Sequence, residues 1–198
     1  RQALSPDSLE DLYLNVSDFD VGDWGALLDL DIVRDIKGQL LNEVHEKVMT
    51  LGWTHSDGTA VAAQANYAIG DMIDCVENDQ DLQGGVYRPE TCRALLQQLR
   101  AYQRHPVFSG VGTPLNQLLI PGTASVLLLG RLPPDLRGIL VGTLVRRILD
   151  ERADASETAK DLAVNPNLDE DVRRQKEEAL KSAIPKTWIV VDEAQNVL

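Results

Sequence analysis

The stretch DIVRDIKGQLLNEVHEKVMTL, residues 31–51, carries the most regular pattern in this chain of 198 residues. Apolar residues recur in it every four positions, at Ile32, Ile36, Leu40, Val44 and Val48. Because an α-helix turns once every 3.6 residues, this spacing gathers the apolar side chains on one face of a helix. Gly52 follows the stretch and is of a residue type that commonly ends helices. The pattern therefore predicts an amphipathic helix packed against a core, and it indicates a mainly α fold.

Further helices are predicted on both sides of this stretch. Asp20 suits the N-cap of a short helix, and Pro89 suits the first turn of a longer one. In chain order the predicted elements are a short strand at 12–16 and helices at 21–28, 31–51, 57–76, 89–102 and 114–118. Residues 1–120 are therefore predicted to form a helical bundle.

The pattern changes after Pro121-Gly122. The run SVLLL, residues 125–129, is continuously apolar, as in a strand that is buried on both faces of a sheet. The elements predicted after it are a helix at 134–152, a polar loop at 153–166, a charged helix from 167 or 169 to 183, and a second apolar strand at 188–191. Two such strands joined by a long helical crossover are typical of a parallel sheet. The bundle is therefore predicted to pack on a partial parallel sheet formed by residues 121–198.

Two acidic residues, Asp192 and Glu193, follow the second predicted strand directly. In nucleotide hydrolases an acid at the end of such a strand holds magnesium, and a neighbouring acid orients and deprotonates the attacking water. This pattern predicts Asp192 as a metal ligand and Glu193 as a catalytic base. The competing interpretation is a buried strand that ends in an ordinary polar turn.

A nucleotide site of this kind also needs a glycine-rich phosphate loop, GxxxxGK[ST], and the sequence contains none. The only Lys-Gly pair, Lys37-Gly38, is in the wrong order and lies in a predicted helix. We therefore expect no ATP or magnesium to bind to this chain alone. The simplest hypothesis is that the chain is a piece of a larger enzyme, with the phosphate loop before it.

Two stretches resemble the HerA-like branch of the HerA/FtsK superfamily, which consists of hexameric DNA-pumping ATPases. They are SVLLLGRLPPDLRGILVGTLVRRILDER, residues 125–152, and IPKTWIVVDEAQNVL, residues 184–198. That branch also inserts a helical bundle before its magnesium strand, and residues 16–120 resemble this insertion in architecture. The resemblance implies a partial RecA-like core over residues 121–198.

The same resemblance implies roles for residues, cofactors and partners. Asp192 matches the magnesium-binding acid and Glu193 the catalytic base, while Gln195 stands at a nucleotide-contacting position where many relatives have His. Gly130 stands where relatives often have Asp, so the role of an acid at that strand end is lost. For the larger enzyme the resemblance implies ATP and Mg²⁺ as cofactors, DNA as a partner, a homo-oligomeric ring and a possible partner nuclease.

Other interpretations of the same residues remain open. The DEAQ ending also resembles superfamily 1 and 2 helicases, PhoH-like ATPases and conjugative secretion ATPases. A non-catalytic helical interaction module with a chance DEAQ is an alternative of a different class. Arg131 and Arg137 flank the loop after the first predicted strand, and they either face a neighbouring subunit or DNA or are solvated surface residues.

The charge and cysteine content restrict the class of protein further. The net charge of −12 argues against nucleic-acid binding by overall electrostatics. Residues 1–81 carry a net charge of −13 and residues 82–198 a net charge of +1, which leaves room for a local basic surface in the second part. Cys75 and Cys92 lie far apart without metal-ligand spacing, as in a reducing compartment. Because no apolar run approaches about 20 residues, we expect a cytoplasmic protein without a membrane partner.

Overall fold

The computed structural model describes residues 10–108, 112–165 and 168–192, and most of these residues are helical, as predicted. The chain divides into two compact units, Arg1–Thr113 and Pro114–Leu198. The first unit contains helices α1 (Val21–Leu28), α2 (Ile36–Glu46), α3 (Ile69–Asn78) and α4 (Pro89–Gln103), and strands β1 (Trp53–Thr54) and β2 (Ala60–Val61). The second unit contains helices α5 (Leu115–Leu118), α6 (Pro134–Val164) and α7 (Glu170–Ser182).

Helix α1 begins at the predicted residue because two aspartates cap it reciprocally. The Asp20 carboxylate accepts a hydrogen bond from the backbone N–H of Asp23 at 2.8 Å, and the Asp23 carboxylate accepts one from the N–H of Asp20 at 3.0 Å. This arrangement satisfies two backbone donors that have no partner inside the helix. A side-chain contact also explains why α2 begins at Ile36, later than predicted. The Asp31 carboxylate accepts hydrogen bonds from the N–H groups of Val33 and Arg34 and holds these residues in a turn.

Helix α2 provides the centre of the first unit's core. Its apolar stripe is buried from Leu40 onward, and it continues through a π-helical turn, Lys47–Leu51, up to Gly52. Gly52 has a φ of +76°, and a Cβ at this position would lie 2.5 Å from the carbonyl oxygen of Val61, so only glycine fits here. The largest fully buried side chains of this core are Phe19, Trp24, Leu40, Leu41, Tyr67, Met72, Leu82, Leu95 and Leu99.

The helix predicted over residues 57–76 is wrong in its first half. Asp57-Gly58 forms the turn of a short antiparallel hairpin, in which Trp53 pairs with Val61 and Thr54 with Ala60. The Asp57 carboxylate accepts from the Thr59 N–H at 2.8 Å, and Gly58 adopts a φ of +88°. Asp-Gly is a turn signal for hairpins, and here it outweighs the alanine-rich residues that follow. The strand predicted at 12–16 does not form either, and a 3₁₀ turn covers Val16–Asp18.

The polar loop predicted over residues 153–166 is also wrong, because α6 continues without interruption to Val164. This part of the helix is rich in alanine and charged residues with high helix propensity, which do not need an apolar stripe to remain helical. Two contacts also fasten α6 to the following segment. The Asp161 carboxylate pairs with the Lys176 ammonium at 2.7 Å, and Arg152 donates to the carbonyl of the buried Ile184 at 2.8 Å.

The predicted partial parallel sheet is not formed by the described residues. Their only strand ladder is the antiparallel pair β1–β2. Residues 125–129 and 188–191, which were predicted as buried strands, are extended segments outside any strand, and most of their large apolar side chains are exposed. A strand of a parallel sheet becomes buried only when neighbouring strands and covering helices are present.

A buried lysine–aspartate pair, with an exposed aspartate beside it, joins the end of α2 to the connection between α3 and α4. The Lys47 ammonium lies 2.9 and 3.1 Å from the two carboxylate oxygens of Asp79 and 3.0 Å from the Asp81 carboxylate. Asp79 is almost fully buried, and it also accepts from the N–H groups of Asp81 and Leu82. Burial by itself would lower the pKa of Lys47, but the hydrogen bonds to Asp79 and Asp81 outweigh burial and raise it. Lys47 therefore stays charged and fully paired.

The first prediction concerns this pair. Lys47→Met keeps the aliphatic packing but leaves Asp79 as a buried charge without a cation, which typically costs about 3–5 kcal/mol of unfolding free energy. Urea denaturation followed by circular dichroism measures the loss. Lys37→Met, on the same helix, is the matched control and should change little.

A double variant tests the cause of that loss. In Lys47→Met/Asp79→Asn the amide oxygen can still accept from the two backbone N–H groups, but no buried charge remains, so part of the stability should return. Equal losses in Lys47→Met and Lys37→Met would show that the pair does not stabilise the fold.

His45 gives the first unit a pH-dependent stability. Its Nε2 lies 3.3 Å from the Phe19 carbonyl oxygen, and its ring packs edge-on against Tyr67. Burial lowers the pKa of His45 below the ordinary value of 6.5, although the Phe19 carbonyl and the nearby Asp20 oppose this effect. Because the folded state binds the proton less readily than the unfolded chain, protonation favours unfolding.

The second prediction follows from that sign. The His45 contribution is complete above pH 6.5 and should be lost as the pH falls through the lower pKa of the folded state. The measurement is the difference in unfolding free energy between the wild type and His45→Gln from pH 8 to pH 5, since other titrating groups cancel in it. The wild type should lose stability relative to the variant on acidification. Parallel curves would contradict a lowered pKa.

Candidate functional site

Of the three residues predicted for a nucleotide site, Asp192 is the one within the described residues, and it is the last of them. The Asp192 side chain is exposed, directly after the extended segment 188–191. Glu193 and Gln195 lie outside the described residues. The structure therefore gives the setting of the predicted metal ligand, while the positions of the predicted base and nucleotide contact stay predictions.

The segment before Asp192 has the exposure pattern of a strand without its sheet. Trp188 and Val190 are 95% and 88% exposed, whereas Ile189 and Val191 are 43% and 41% exposed. Successive side chains of extended backbone point to opposite sides, so a two-residue alternation is what a strand produces. All four side chains are nevertheless more exposed than those of a strand buried on both faces.

The segment at residues 125–129 repeats this alternation. Val126 and Leu128 are more exposed than Leu127 between them. Ser125 donates to the carbonyl of Leu118, which fastens the start of the segment. Arg137 donates to the carbonyls of Leu132 at 2.8 Å and Gly130 at 3.2 Å.

Arg131 and Arg137 were predicted either to face DNA or a neighbouring subunit or to be solvated surface residues, and these contacts help to distinguish the two interpretations. Arg137 fastens the loop before α6 through backbone carbonyls, so it has a structural task within the chain. Arg131 is exposed at the start of the same loop.

The donor set around Asp192 fits only part of a magnesium site. Among the described residues, no three His, Cys, Asp or Glu side chains lie together in a way that could hold a metal ion. Magnesium in nucleotide hydrolases is commonly held by one or two carboxylates, waters and substrate phosphates. The carboxylate of Asp192 meets the protein's share of such a set, whereas no phosphate loop occurs in the sequence to hold the nucleotide.

A histidine–aspartate pair lies at the hairpin, but it lacks a nucleophile. His55 Nε2 is 3.1 Å from the Asp74 carboxylate, which also accepts from the side-chain amide of Asn78 at 2.7 Å. The neighbouring Ser56 hydroxyl donates to the carbonyl of Asn78 rather than to the imidazole. Nucleophilic catalysis needs the hydroxyl and the base within hydrogen-bond reach of each other. The pair therefore connects the hairpin to α3.

The two thiols are not nucleophiles either. Cys75 and Cys92 are buried and unpaired. Burial raises the pKa of the Cys75 thiol to about 12, and it also raises that of Cys92. Since the thiolate is the reactive form, neither residue has the chemistry of a catalytic cysteine at neutral pH.

Two shallow depressions lie on the surface of the described residues, among others. One lies on α4 and is lined by Arg93, Leu96, Gln97, Arg100, Ala101 and Arg104. The other is lined by α6 and α7 residues of both charges, including Asp154, Glu157, Lys160, Asp161 and Lys176. The first is a basic surface that the sequence patterns described above did not predict. The sequence nevertheless contains a signal for this surface, because the spacing of the arginines at positions 93, 100 and 104 puts them on one face of a helix.

Comparison of the chain with protein-family models, curated proteins and solved structures finds no match. None of the helices in the described ranges combines the length and apolar content that a membrane crossing requires. Any assignment of function therefore depends on the residues and the geometry described above.

Proposed function

We propose that this chain is part of an ATP-driven, ring-forming DNA translocase or helicase. It contributes a helical bundle and the magnesium-binding strand of a RecA-like core, and it is inactive alone. The observation that carries the proposal is the segment 188–191, whose alternating apolar side chains lead directly into Asp192 and Glu193. The cytoplasm is the expected location of such an enzyme.

The two extended segments support this proposal because neither of them pairs with a strand among the described residues. Residues 125–129 and 188–191 are rich in apolar side chains, alternate in exposure and have no ladder among the described residues. Exposed apolar strands with free backbone groups readily pair with further strands. A core sheet supplied by other parts of a larger protein would satisfy both the backbone groups and the apolar side chains.

Each predicted residue has a defined task in that setting. Asp192 would hold magnesium, which neutralises charge on the nucleotide phosphates. Glu193 would accept a proton from the attacking water and orient it, and Gln195 would contact the nucleotide. Conjugative secretion ATPases, PhoH-like ATPases and other helicases would use the same acids in the same way.

A non-catalytic interaction module is the second candidate, and one observation favours it. The strongest polar cluster in the described residues, Lys47 with Asp79 and Asp81, is fully paired and structural, whereas the depression on α4 is an exposed charged surface. The genomic sequence before Arg1 discriminates between the candidates. A GxxxxGK[ST] loop in the same reading frame supports the ATPase, and its absence over a few hundred residues supports the module.

The third prediction concerns the isolated chain. Because backbone amides and a lysine of the phosphate loop provide most contacts to a nucleotide's phosphates, the chain should neither bind ATP tightly nor hydrolyse it. Titration calorimetry with ATP and magnesium and a phosphate-release assay measure both properties. Turnover clearly above a buffer blank would contradict the proposal that the site is completed by other segments.

The fourth prediction concerns Glu193 in a polypeptide that also carries the phosphate loop. Glu193→Gln keeps the size and hydrogen bonding but removes the base, so turnover should fall by roughly 10²–10⁴ while nucleotide affinity is kept. Asp192→Ala should weaken magnesium-dependent nucleotide binding as well. Single-turnover rates and nucleotide affinities separate the two effects. A Glu193→Gln variant with wild-type turnover would leave the interaction module as the better candidate.

A further inference from the structure

Three arginines form a stripe along the exposed face of α4. Arg93, Arg100 and Arg104, together with Gln97, are separated by four, three and four residues, so they lie on one side of the helix over about 16 Å. They surround the shallow depression described above, whose apolar part consists of Leu96 and Ala101. We call this surface the arginine stripe.

Most of the charge of the stripe is not neutralised by other residues that the structure describes. Arg100 pairs with Glu77, but Arg93 and Arg104 have no ion-pair partner among the described residues. The stripe is also a basic island in an acidic unit. Residues 88–108 contain four arginines and one acid, whereas residues 10–87 contain sixteen acids and three basic residues.

The loop between α1 and α2 has the complementary composition. Asp29, Asp31 and Asp35 are exposed there, and so are two large apolar side chains, Val33 in the loop and Ile36 at the first position of α2. Val33 is 73% exposed and Ile36 is 64% exposed. Arg34 is also exposed in this segment, and its guanidinium lies 3.8 Å from the Asp31 carboxylate, so residues 29–36 carry three acids and one base. Exposed apolar side chains among mainly acidic ones are typical of a surface that a partner covers. We call residues 29–36 the acidic loop.

The loop and the stripe of one molecule face different ways. Gln98 and Tyr102 of α4 donate to the carbonyls of Leu28 and Leu27, at the end of α1 where the loop begins. At 100° per residue, Gln98 and Tyr102 lie on the side of α4 opposite the stripe. The acidic loop therefore lies behind its own α4, and an encounter between loop and stripe requires two molecules.

We propose that the acidic loop of one copy of this chain docks on the arginine stripe of a second copy. The carboxylates of Asp31 and Asp35 face Arg93 and Arg104, and the exposed apolar side chains of the loop cover the apolar part of the depression. Guanidinium groups bind carboxylates through paired hydrogen bonds, which suits a stripe made of arginine without lysine. The contact uses different surfaces on the two copies, so it is head-to-tail and can close into a ring.

A nucleic acid is the other polyanion that such a stripe could attract, and the surroundings disfavour it. A nucleic acid is charged along its whole length, and the acidic remainder of the first unit would repel it. No aromatic side chain lines the depression, so bases have no surface for stacking. A protein loop needs to match only the stripe. The interface is independent of the ATPase proposal, since it involves none of the residues of that site.

Two variants of the full chain test the interface. Arg93→Glu/Arg104→Glu reverses the stripe and leaves the loop intact. Asp31→Asn/Val33→Ser/Asp35→Asn neutralises the loop, keeps oxygen acceptors for its backbone N–H groups and leaves the stripe intact. Sedimentation velocity up to about 0.5 mM protein measures association, because interfaces of this small size bind weakly. Circular dichroism verifies that both variants are folded.

The wild type should associate at about 50 mM NaCl and dissociate at about 500 mM NaCl, where charges are screened. Each variant alone should remain monomeric. An equimolar mixture of the two variants should recover dimers and no larger species, because one intact loop and one intact stripe remain to meet. If a variant failed to associate because it was misfolded, mixing it with the other variant would not restore association.

The proposal is overturned by a wild type that stays monomeric, by variants that still associate, or by a mixture that does not recover. It is also overturned if a fluorescein-labelled 20-nucleotide DNA strand or duplex binds the wild type but not Arg93→Glu/Arg104→Glu, while the wild type does not self-associate. That outcome would assign the stripe to nucleic acid. None of these outcomes depends on ATP binding, so failure here and failure of the ATPase proposal are distinguishable.

Discussion

The contact between Lys47 and Asp79 is the constraint on which the first unit depends. A lysine and an aspartate in an apolar core are tolerated only while each satisfies the other, because a buried unpaired charge is costly. Asp79 meets this condition with Lys47 and also accepts from the N–H groups of Asp81 and Leu82. Its backbone forms a bridge with His55 of the hairpin, so three parts of the chain converge on one residue.

This convergence explains two irregular turns that flank the pair. The end of α2 widens into a π-helical turn at Lys47–Leu51, and a second turn of this kind at Leu82–Val86 follows Asp79. Asp79 holds the start of the second turn through two backbone N–H groups, and the Tyr87 hydroxyl then donates to Glu43 on α2 at 2.8 Å. The start of α4 is therefore fixed relative to α2. A buried polar pair thus sets the direction in which the arginine stripe faces.

The elements that the sequence predicted correctly are those encoded by local signals. The Asp20 cap acts within one helical turn and is confirmed. The apolar stripe of α2 is confirmed at Leu40, Val44 and Val48, whereas Ile32 lies before the helix and Ile36 is exposed. The second half of α6 was missed because alanine and charged residues stabilise a helix by propensity and leave no stripe to detect. Asp57-Gly58 was missed because a two-residue turn signal was outweighed by the alanines that follow it.

The candidate site shows the same difference between local signals, which the sequence reveals, and nonlocal pairing, which it does not. The succession of apolar strand-formers and two acids is visible in the sequence, so Asp192 and Glu193 could be singled out. The predicted parallel sheet was wrong because strand pairing is nonlocal, and an apolar run reports the ability to pair without reporting the partner. The arginine stripe was missed although its spacing is visible in the sequence, and the burial of Cys92, Leu95 and Leu99 places it on the exposed side of α4.

The two units present surfaces that call for partners of different chemistry. Residues 125–129 and 188–191 expose apolar side chains on extended backbone, so their partner must supply backbone hydrogen bonds and an apolar cover, a combination that salt hardly weakens. The arginine stripe and acidic loop are proposed to associate through exposed charges, which salt screens over about 10 Å at 0.1 M and about 3 Å at 1 M. High ionic strength should therefore separate copies of the first unit while it leaves a completed sheet intact. If the chain is part of a larger protein, as proposed above, its assembly would consist of one step that salt hardly weakens and one that salt reverses.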